Sequence, residues 1–313
     1  MAKLVVLAIG GNSLIKDPSH ITVKDQYLSV VETSAHLVNI LKMGYQLVIT
    51  HGNGPQVGFI LRRSELARTE LHMVPLDSCG ADTQGAIGYH IQMALGNAMR
   101  QEGLPGTVAT IVTQVLVDQA DPAFTHPTKP IGSFMDCALA EKHRREDQWK
   151  IMEDAGRGYR RVVASPQPQK IIEFDAIKAL IAQRMIVIAV GGGGIPVSRD
   201  AAGNLVGVEA VIDKDHASSL LARQLQADLF VISTGVEKVC LHFGTPQQTA
   251  LTQMNLAEAR AYLEAGHFAS GSMRPKIQAL IEFVAATGQE GLITNPANLV
   301  PALAGKTGTR LVP

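Results

Sequence analysis

The chain of 313 residues is long enough for two domains, or for one large α/β domain with an insertion. Its 28 basic and 28 acidic residues balance and aromatic residues make up only 4%, so neither charge nor base stacking favours a nucleic-acid partner. The three cysteines, Cys79, Cys137 and Cys240, are too far apart in sequence to predict a metal site or a disulfide framework. No run of about 18 predominantly apolar residues predicts a membrane span, and the short apolar start is more typical of a strand than of a signal peptide. We therefore expect a cytoplasmic protein without a membrane segment.

Predicted strands and helices alternate along most of the chain. Strands are predicted over residues 3–9, 45–50, 107–117, 185–190, 229–233 and 291–294, with a final strand at the end. Helices are predicted over residues 26–43, 83–101, 139–152, 175–184, 256–265 and 276–286. Gly44 is suited to stop the first helix, and Pro55 to begin the second. This alternation predicts a doubly wound α/β sheet, which binds ligands beyond the carboxyl ends of its strands.

Four predicted strands end in glycine-rich turns, which are Gly10-Gly11-Asn12, Gly52-Asn53-Gly54, Gly191 to Gly194, and Thr234-Gly235. Glycine lets the backbone approach a ligand closely and turn its N–H groups toward an anion. One such turn is as readily structural, but four at the same end of one sheet indicate an anion-binding edge. Gly52, Gly54 and Gly58 miss the dinucleotide spacing by one residue, and Gly305-Lys306-Thr307 lacks the earlier glycine of a P-loop.

Residues 118–169 interrupt the alternation with five prolines and a charged helix, which predicts an inserted lid subdomain. Lys129 lies there between Pro127 and Pro130, on a stiff, extended loop. Such a loop suits a clamp that closes on an anion, although a solvated loop lysine is the commoner case.

Two further lysines are predicted beside helix N-termini. A helix begins near Asp215, which we expect to be its N-cap, and Lys214 precedes it directly. Lys276 follows Ser272, a second candidate cap, so that the N–H groups of residues 271–273 could cradle a phosphate. Taken singly, each lysine is equally compatible with an ordinary capped helix. His51 could be catalytic, but a hydrogen bond within its own loop is our preferred interpretation.

Lysines and glycine N–H groups are thus predicted to gather at one edge, without a metal cage, an activated serine or cysteine, or a hydride-cofactor motif. Phosphoryl transfer needs such a set, because the protein mainly positions the reactants and neutralises charge spread over the equatorial oxygens. Magnesium usually binds through phosphates plus one or two carboxylates, and Asp213 or Asp215 could orient a lysine or contact a water on the metal.

Seven motifs in sequence order carry a family resemblance: GGNSL (10–14), HGNGPQVG (51–58), PTKPIG (127–132), EDAGRGYRRVV (153–163), GGGGIPV (191–197), EAVIDKDHAS (209–218) and GHFASGSMRPKI (266–277). Together they resemble the carbamate kinases over essentially the whole chain. The short GGN and HGNG motifs occur across the wider amino-acid kinase family, whereas PTKPIG and DAGRG point to the carbamate kinases.

The resemblance implies a three-layer α/β/α fold with an open, mainly parallel eight-stranded sheet, a small protruding subdomain and a homodimer. It implies the reversible reaction of ATP and carbamate to ADP and carbamoyl phosphate with Mg²⁺. The usual direction in the family is ATP synthesis, in arginine or purine breakdown. Two alternatives stay open: another amino-acid kinase acting on a carboxylate substrate, and a catalytically silent sensor of nucleotide or carbamoyl phosphate.

The resemblance also assigns residues. Catalytic roles fall to Lys129, Lys214 and Asp215. ATP binding falls to Gly10, Gly11, Asn12, Lys214, Thr234, Gly235, Val239, Gly271, Ser272, Met273 and Lys276. Carbamate or carbamoyl phosphate binding falls to Gly11, Asn12, Gly52, Asn53, Gly54, Lys129, Gly192 and Gly193. Ser13, Gly80, Asp82 and Arg274 depart from the family pattern, and the last two leave room for an altered substrate preference.

Overall fold

Strands and helices alternate in the computed structural model, which describes residues 2–10, 14–15, 17, 19–154, 156–269 and 271–313. Within those ranges the strands are β1 (Leu4–Ile9), β2 (Gln46–His51), β3 (Val108–Thr110), β4 (Gln114–Leu116), β5 (Lys129–Met135), β6 (Ile151–Glu153), β7 (Tyr159–Val163), β8 (Lys170–Ile171), β9 (Ile186–Ile188), β10 (Ile195–Arg199), β11 (Leu205–Gly207), β12 (Leu229–Ser233), β13 (Cys240–Leu241), β14 (Thr249–Ala250), β15 (Gln253–Asn255), β16 (Glu290–Thr294) and β17 (Thr309–Val312). The helices are α1 (Val23–Lys42), α2 (Gly54–Leu66), α3 (Leu76–Gln101), α4 (Cys137–Glu146), α5 (Phe174–Ala182), α6 (Lys214–Gln224), α7 (Leu256–Glu264), α8 (Met273–Thr287) and α9 (Leu299–Leu303).

The central sheet of the described chain has eight strands in the order β15-β17-β16-β12-β1-β2-β9-β3. All neighbouring pairs are parallel except β16 with β17. Along β1, Val6 and Ala8 face one apolar core with α5, α6, α7 and α8, whereas Val5, Leu7 and Ile9 face another with α1, α3 and α9. Side chains alternate across a strand, so a strand that is apolar throughout needs helices on both faces. The predicted three-layer, mainly parallel eight-stranded fold is confirmed.

Four adjacent parallel strands, β12, β1, β2 and β9, run into the four predicted glycine turns. Their carboxyl ends therefore meet at one edge of the sheet, as predicted. The Gly52 N–H donates to the Ile9 carbonyl oxygen at 3.1 Å, and the Thr234 N–H donates to that of Thr294 at 2.8 Å. These bonds tie the turns to the neighbouring strands.

Predicted boundaries were wrong for the strand at 107–117 and for the start of α3. The strand predicted over 107–117 is split into β3 and β4, which belong to different sheets. The split is made by Gln84 of α3, whose amide accepts from the Thr113 N–H at 2.7 Å and donates to the Thr113 carbonyl at 3.0 Å. Helix α3 begins at Leu76, seven residues before the prediction, because buried Leu76 and Cys79 extend its apolar face through a stretch of small and polar residues.

Residues 129–163 form a separate three-stranded sheet in the order β5-β7-β6, accompanied by α4. The helix predicted over 139–152 is shorter, because Asp136 caps α4 through the Leu139 N–H and the chain turns into β6 after Glu146. Strand β5 packs on α2, and a methyl group added at Gly58 would lie 3.1 Å from the Gly132 Cα. A second small sheet has the order β11-β10-β4-β8, and β10 with β11 forms an antiparallel hairpin.

No helix in the described part of the chain combines the length and apolar character that crossing a membrane requires.

Candidate active site

In the turn after β9, Gly192 and Gly193 approach their neighbours so closely that a side chain at either position would collide. A Cβ at Gly192 would lie 2.1 Å from the Asn53 amide nitrogen, and one at Gly193 would lie 2.5 Å from the Ile212 carbonyl oxygen. Both glycines have positive φ, 66° and 98°, which disfavours other residues at these positions. Asn53 is itself held by Thr83, to which its amide donates at 2.8 Å. The turns at 52–54 and 191–194 thus form one wall of the site.

Of the three site residues predicted in the first turn, one lies within the described part of the chain. Gly10 is described, and a Cβ there would lie 2.9 Å from the Ser233 carbonyl oxygen, so the β1 and β12 turns touch. Gly11 and Asn12 lie outside the described residues. Gly54 begins α2, with Asn53 in the cap position.

Helix α6 begins at Lys214, which therefore lies at the helix N-terminus as the sequence predicted, but the predicted start and cap of the helix differ. Asp213 is the N-cap, and its Oδ1 accepts from the N–H of Asp215 at 2.9 Å and, more weakly, from that of His216 at 3.4 Å. The prediction of Asp215 as the cap was wrong. Because Asp213 satisfies the helix N-terminus, the carboxylate of Asp215 is available for side chains.

Asp215 lies between two lysines. Its Oδ1 is 3.1 Å from Nζ of Lys214 and its Oδ2 accepts from Nζ of Lys276 at 3.0 Å. All three side chains are largely buried, with 4% exposure for the Asp215 side chain and 13% and 16% for those of Lys214 and Lys276. Lys214 also donates to the Ile9 carbonyl at 3.3 Å, which holds its ammonium at the end of β1. The arrangement concentrates two positive charges around one negative charge.

The pKa values of Lys214 and Asp215 are shifted by burial and by the neighbouring charges. Burial lowers the pKa of Lys214, and nearby Lys276 lowers it further, against the opposing effect of Asp215. Burial alone would raise the pKa of Asp215, but the two lysines outweigh it, so the pKa lies below its ordinary value. Asp215 is therefore ionised at neutral pH and organises both ammonium groups.

Lys129 reaches the same edge from β5. Its Nζ donates to Asp213 Oδ2 at 3.1 Å, although the two residues are 84 positions apart in the sequence. Burial opposes ionisation of Asp213, but Lys129 and then His216 outweigh it, so the pKa of Asp213 is well below its usual range. The three predicted lysines thus surround two aspartates, which leaves a surplus positive charge, and an anion would balance it.

A cavity of about 250 Å³ opens beside Lys276. The turn after β12 lines it with Thr234 and Gly235, and the start of α8 lines it with Ser272 and Met273. Ser272 occupies the cap position of α8 without a side-chain capping bond, contrary to prediction, and is exposed toward solvent. Gly271 is likewise exposed, outside the cavity lining.

Val239 was predicted to bind ATP, but its side chain does not line this cavity. Its side chain is fully buried in the core, and its N–H donates to Thr309 Oγ1 at 2.8 Å. Lys238 and Cys240 on either side of it line the cavity instead. Side chains alternate across extended backbone, so the neighbours of a buried residue face the opposite way.

The sequence analysis did not predict the contacts that hold α6 against α8 behind the site. His216, 7% exposed, contacts Glu282 Oε1 of α8 through Nδ1 at 3.0 Å, and Arg223 approaches the other oxygen of that carboxylate at 3.4 Å. This contact joins α6, which carries Lys214, to α8, which carries Lys276. The signal available in sequence was the histidine two residues after Lys214, but its partner lies 66 residues away.

Comparison with known proteins extends over the whole chain. The Amino acid kinase family profile matches residues 3–295. The carbamate kinase-like protein YahI of Escherichia coli K12 is 52% identical, over 100% of this chain and 99% of its own length. The carbamate kinase of Pyrococcus furiosus is 44% identical over 100% of both chains. The structure of the carbamate kinase from Giardia lamblia bound to AMP-PNP has a TM-score of 0.93 at 42% identity, covering 99% of this chain and 98% of that one. The sequence comparison and the structure comparison therefore both match carbamate kinases or carbamate kinase-like proteins.

Proposed function

The chain belongs to the amino acid kinase family and, within it, to the carbamate kinases, and we propose that it transfers a phosphoryl group reversibly between ATP and carbamate. The observation that carries this proposal is the buried placement of Asp215 between Lys214 and Lys276, at the edge where four strands end in glycine turns. Two ammonium groups fixed by one carboxylate form a preorganised cradle for a phosphoryl group.

The nucleotide occupies the cavity beside Thr234, Gly235 and Met273 in this proposal, with its phosphates directed toward Lys276. Lys214 lies between that cavity and the glycine wall, so its ammonium is placed to bridge the transferring group. Because charge spreads over the equatorial oxygens during transfer, a lysine on each side stabilises the transition state more than the separated reactants.

Carbamate or the carbamoyl end of carbamoyl phosphate lies against Gly52 to Gly54, Gly192 and Gly193, where backbone N–H groups can donate to its oxygens. Lys129 closes the site from β5. Its present partner, Asp213, is a carboxylate, so an anionic substrate can take over the ammonium by exchanging one negative partner for another. We include residues 118–169 in the proposal as the inserted subdomain that delivers Lys129.

Magnesium fits this site as a companion of the nucleotide. The described residues contain no group of three or more histidine, cysteine, aspartate or glutamate side chains that could hold a metal ion unaided. A Mg²⁺ bound mainly by phosphates needs only one or two carboxylates, and Asp215 Oδ1 is buried and accepts no aligned hydrogen bond within the described structure. Asp215 and Asp213 would hold the ion directly or through water, and the ion would neutralise phosphate charge.

Family membership supports the remaining parts of the proposal. They are ATP or ADP and carbamoyl phosphate as ligands, a homodimer, a cytoplasmic location, and a working direction toward ATP in arginine or purine breakdown. The homodimer, the location and the working direction are not needed for the chemistry derived from the lysines.

The test is ATP formation from ADP, Mg²⁺ and an acyl phosphate, with carbamoyl phosphate, acetyl phosphate and acetylglutamyl phosphate compared at equal concentration. We expect ATP from carbamoyl phosphate at a rate far above that with the other donors. ATP from acetylglutamyl phosphate instead would assign another amino-acid kinase activity. ADP binding without ATP formation from any donor would contradict the proposal and favour a sensor.

A further inference from the structure

A second cavity, of about 150 Å³, lies away from the lysine cluster, at the contact between α2 and the three-stranded sheet. Helix α2 contributes Leu61, strand β5 contributes Ile131 and Phe134, and Leu139 of α4 and Trp149 complete the apolar part of its wall. A dry cavity of about this volume in another protein binds a molecule as large as benzene. The space therefore suits a ligand of five to seven heavy atoms.

The cavity adjoins a tight contact between the two elements. The Gly58 backbone of α2 approaches that of Gly132 in β5 so closely that a methyl group on Gly58 would lie 3.1 Å from the Gly132 Cα. Gly132 has a φ of 73°, so the strand bends at this point. Lys129 lies three residues earlier on β5, and α2 begins at Gly54. A molecule in the cavity would consequently contact two elements that both lead into the active site.

Arg161 of β7 is a charged group in the cavity wall that has no close hydrogen-bond partner among the described residues. Its guanidinium lies over the Trp149 ring at 4.9 Å and is 3.9 Å from Glu209, beyond hydrogen-bonding distance. The other basic side chains in the wall have closer partners: Arg62 is 3.2 Å from Glu65, and His143 Nδ1 is 2.6 Å from Asp147 Oδ2. Five N–H donors on a fork that matches a carboxylate make Arg161 the group to which an anion would bind.

We propose that this cavity is a binding site for a small apolar monocarboxylate, with its hydrocarbon part against Leu61, Ile131 and Phe134 and its carboxylate on Arg161. A single guanidinium without a close hydrogen-bond partner, in an otherwise apolar or internally paired wall, fits a monoanion better than a polyphosphate or a neutral solute. Occupation would brace β5 against α2 and so restrict the position from which Lys129 reaches Asp213.

The chain contains a built-in reporter for this site, because Trp149 is its single tryptophan and lines the cavity. Its ring stacks on His143 with centroids 4.1 Å apart and planes 8° apart, so a ligand entering beside it changes its surroundings directly. The probe is isobutyrate, which has an apolar body and one carboxylate, and isobutyramide serves as the neutral ligand of equal size.

We expect a saturable change in Trp149 emission with isobutyrate and at least a tenfold weaker response with isobutyramide. Arg161→Gln should weaken isobutyrate binding at least tenfold, and calorimetry supplies that affinity because the substitution itself alters the surroundings of Trp149. Leu61→Phe should abolish binding by filling the cavity. Arg145→Gln, on the exposed surface of α4, should bind as the unmodified protein does.

Three results would overturn the proposal: no saturable response to isobutyrate, equal affinity for isobutyramide, or unchanged isobutyrate affinity in Arg161→Gln. The last applies even if Leu61→Phe fails to fold. Binding is measured without turnover, so the outcome is independent of the proposed kinase activity.

Discussion

His51 gives the protein a predicted weakness in acid. Its side chain lies at the end of β2 with 1% of the residue exposed, its Nδ1 faces the Gly52 carbonyl oxygen at 3.0 Å, and its ring packs against Gly191. The hydrogen bond within its own turn is the one that the sequence favoured. Burial, opposed by that carbonyl and aided by the charge of Lys214, lowers the pKa of His51 from 6.5 to about 4. The neutral ring is therefore the form that the fold accommodates.

The size of the effect follows from linkage between protonation and folding. Between pH 6.5 and pH 4 the unfolded chain carries a proton on His51 that the folded chain excludes, so stability is lost as the pH falls through this window. At about 1.4 kcal/mol for each pH unit, the loss reaches about 2 kcal/mol at pH 5 and about 3 kcal/mol near pH 4.

The assay compares urea unfolding of the unmodified protein and His51→Asn at pH 7 and pH 5. Asparagine keeps a donor near the Gly52 carbonyl but cannot titrate, so the unmodified protein should lose about 2 kcal/mol more than the variant on going to pH 5. Differences between the two cancel the contribution of carboxylates common to both. His72→Asn, at an exposed position, is the matched control and should follow the unmodified protein. Parallel losses in the unmodified protein and His51→Asn would refute the argument.

Two further substitutions probe the site itself. Gly192→Ala places a Cβ 2.1 Å from the Asn53 amide nitrogen at a φ of 66°. The free energy of unfolding in urea should therefore fall by about 1–3 kcal/mol. An unchanged free energy of unfolding would contradict this contact. Asp215→Asn leaves Lys214 and Lys276 buried without their shared carboxylate, which should cost about 3–5 kcal/mol, part of it restored by millimolar phosphate. Stability insensitive to both the substitution and phosphate would contradict the ion arrangement.

The parts of the fold predicted correctly from sequence were those set by local patterns. Apolar runs such as Leu4–Ile9 and Leu229–Ser233 form strands whose side chains are buried, apart from the partly buried Leu4. Gly10 follows the first of them at a point where the two turns approach each other. Family motifs then supplied the eight-stranded topology, which periodicity alone does not determine. Gln84 shows the limit: its amide replaces ladder bonds at Thr113, and no pattern within residues 107–117 reveals a partner on α3.

The sequence predicted which residues belong to the site, but not the contacts between residues that are distant in the sequence. Lys214 beside a helix N-terminus could be expected, whereas the pairing of Lys129 with Asp213 required the folded positions of β5 and α6. The N-cap was assigned to Asp215 because the helical spacing of apolar residues starts just after it, at Ala217, and an aspartate is a good cap. Asp213 itself has an extended backbone and the helix begins at Lys214, so Asp213 is the cap and the carboxylate of Asp215 is left to contact the lysines.

The central claim is that Lys214 acts on the transferring phosphoryl group and not on nucleotide affinity. The measurement is the rate of ATP formation from carbamoyl phosphate and ADP in Lys214→Ala, together with ADP binding by calorimetry and with Lys142→Ala on the exposed face of α4 as control. We predict a loss in rate on the order of 100-fold or more, with ADP affinity changed only severalfold and the control unaffected. ATP formation at the unmodified rate in Lys214→Ala would contradict the account.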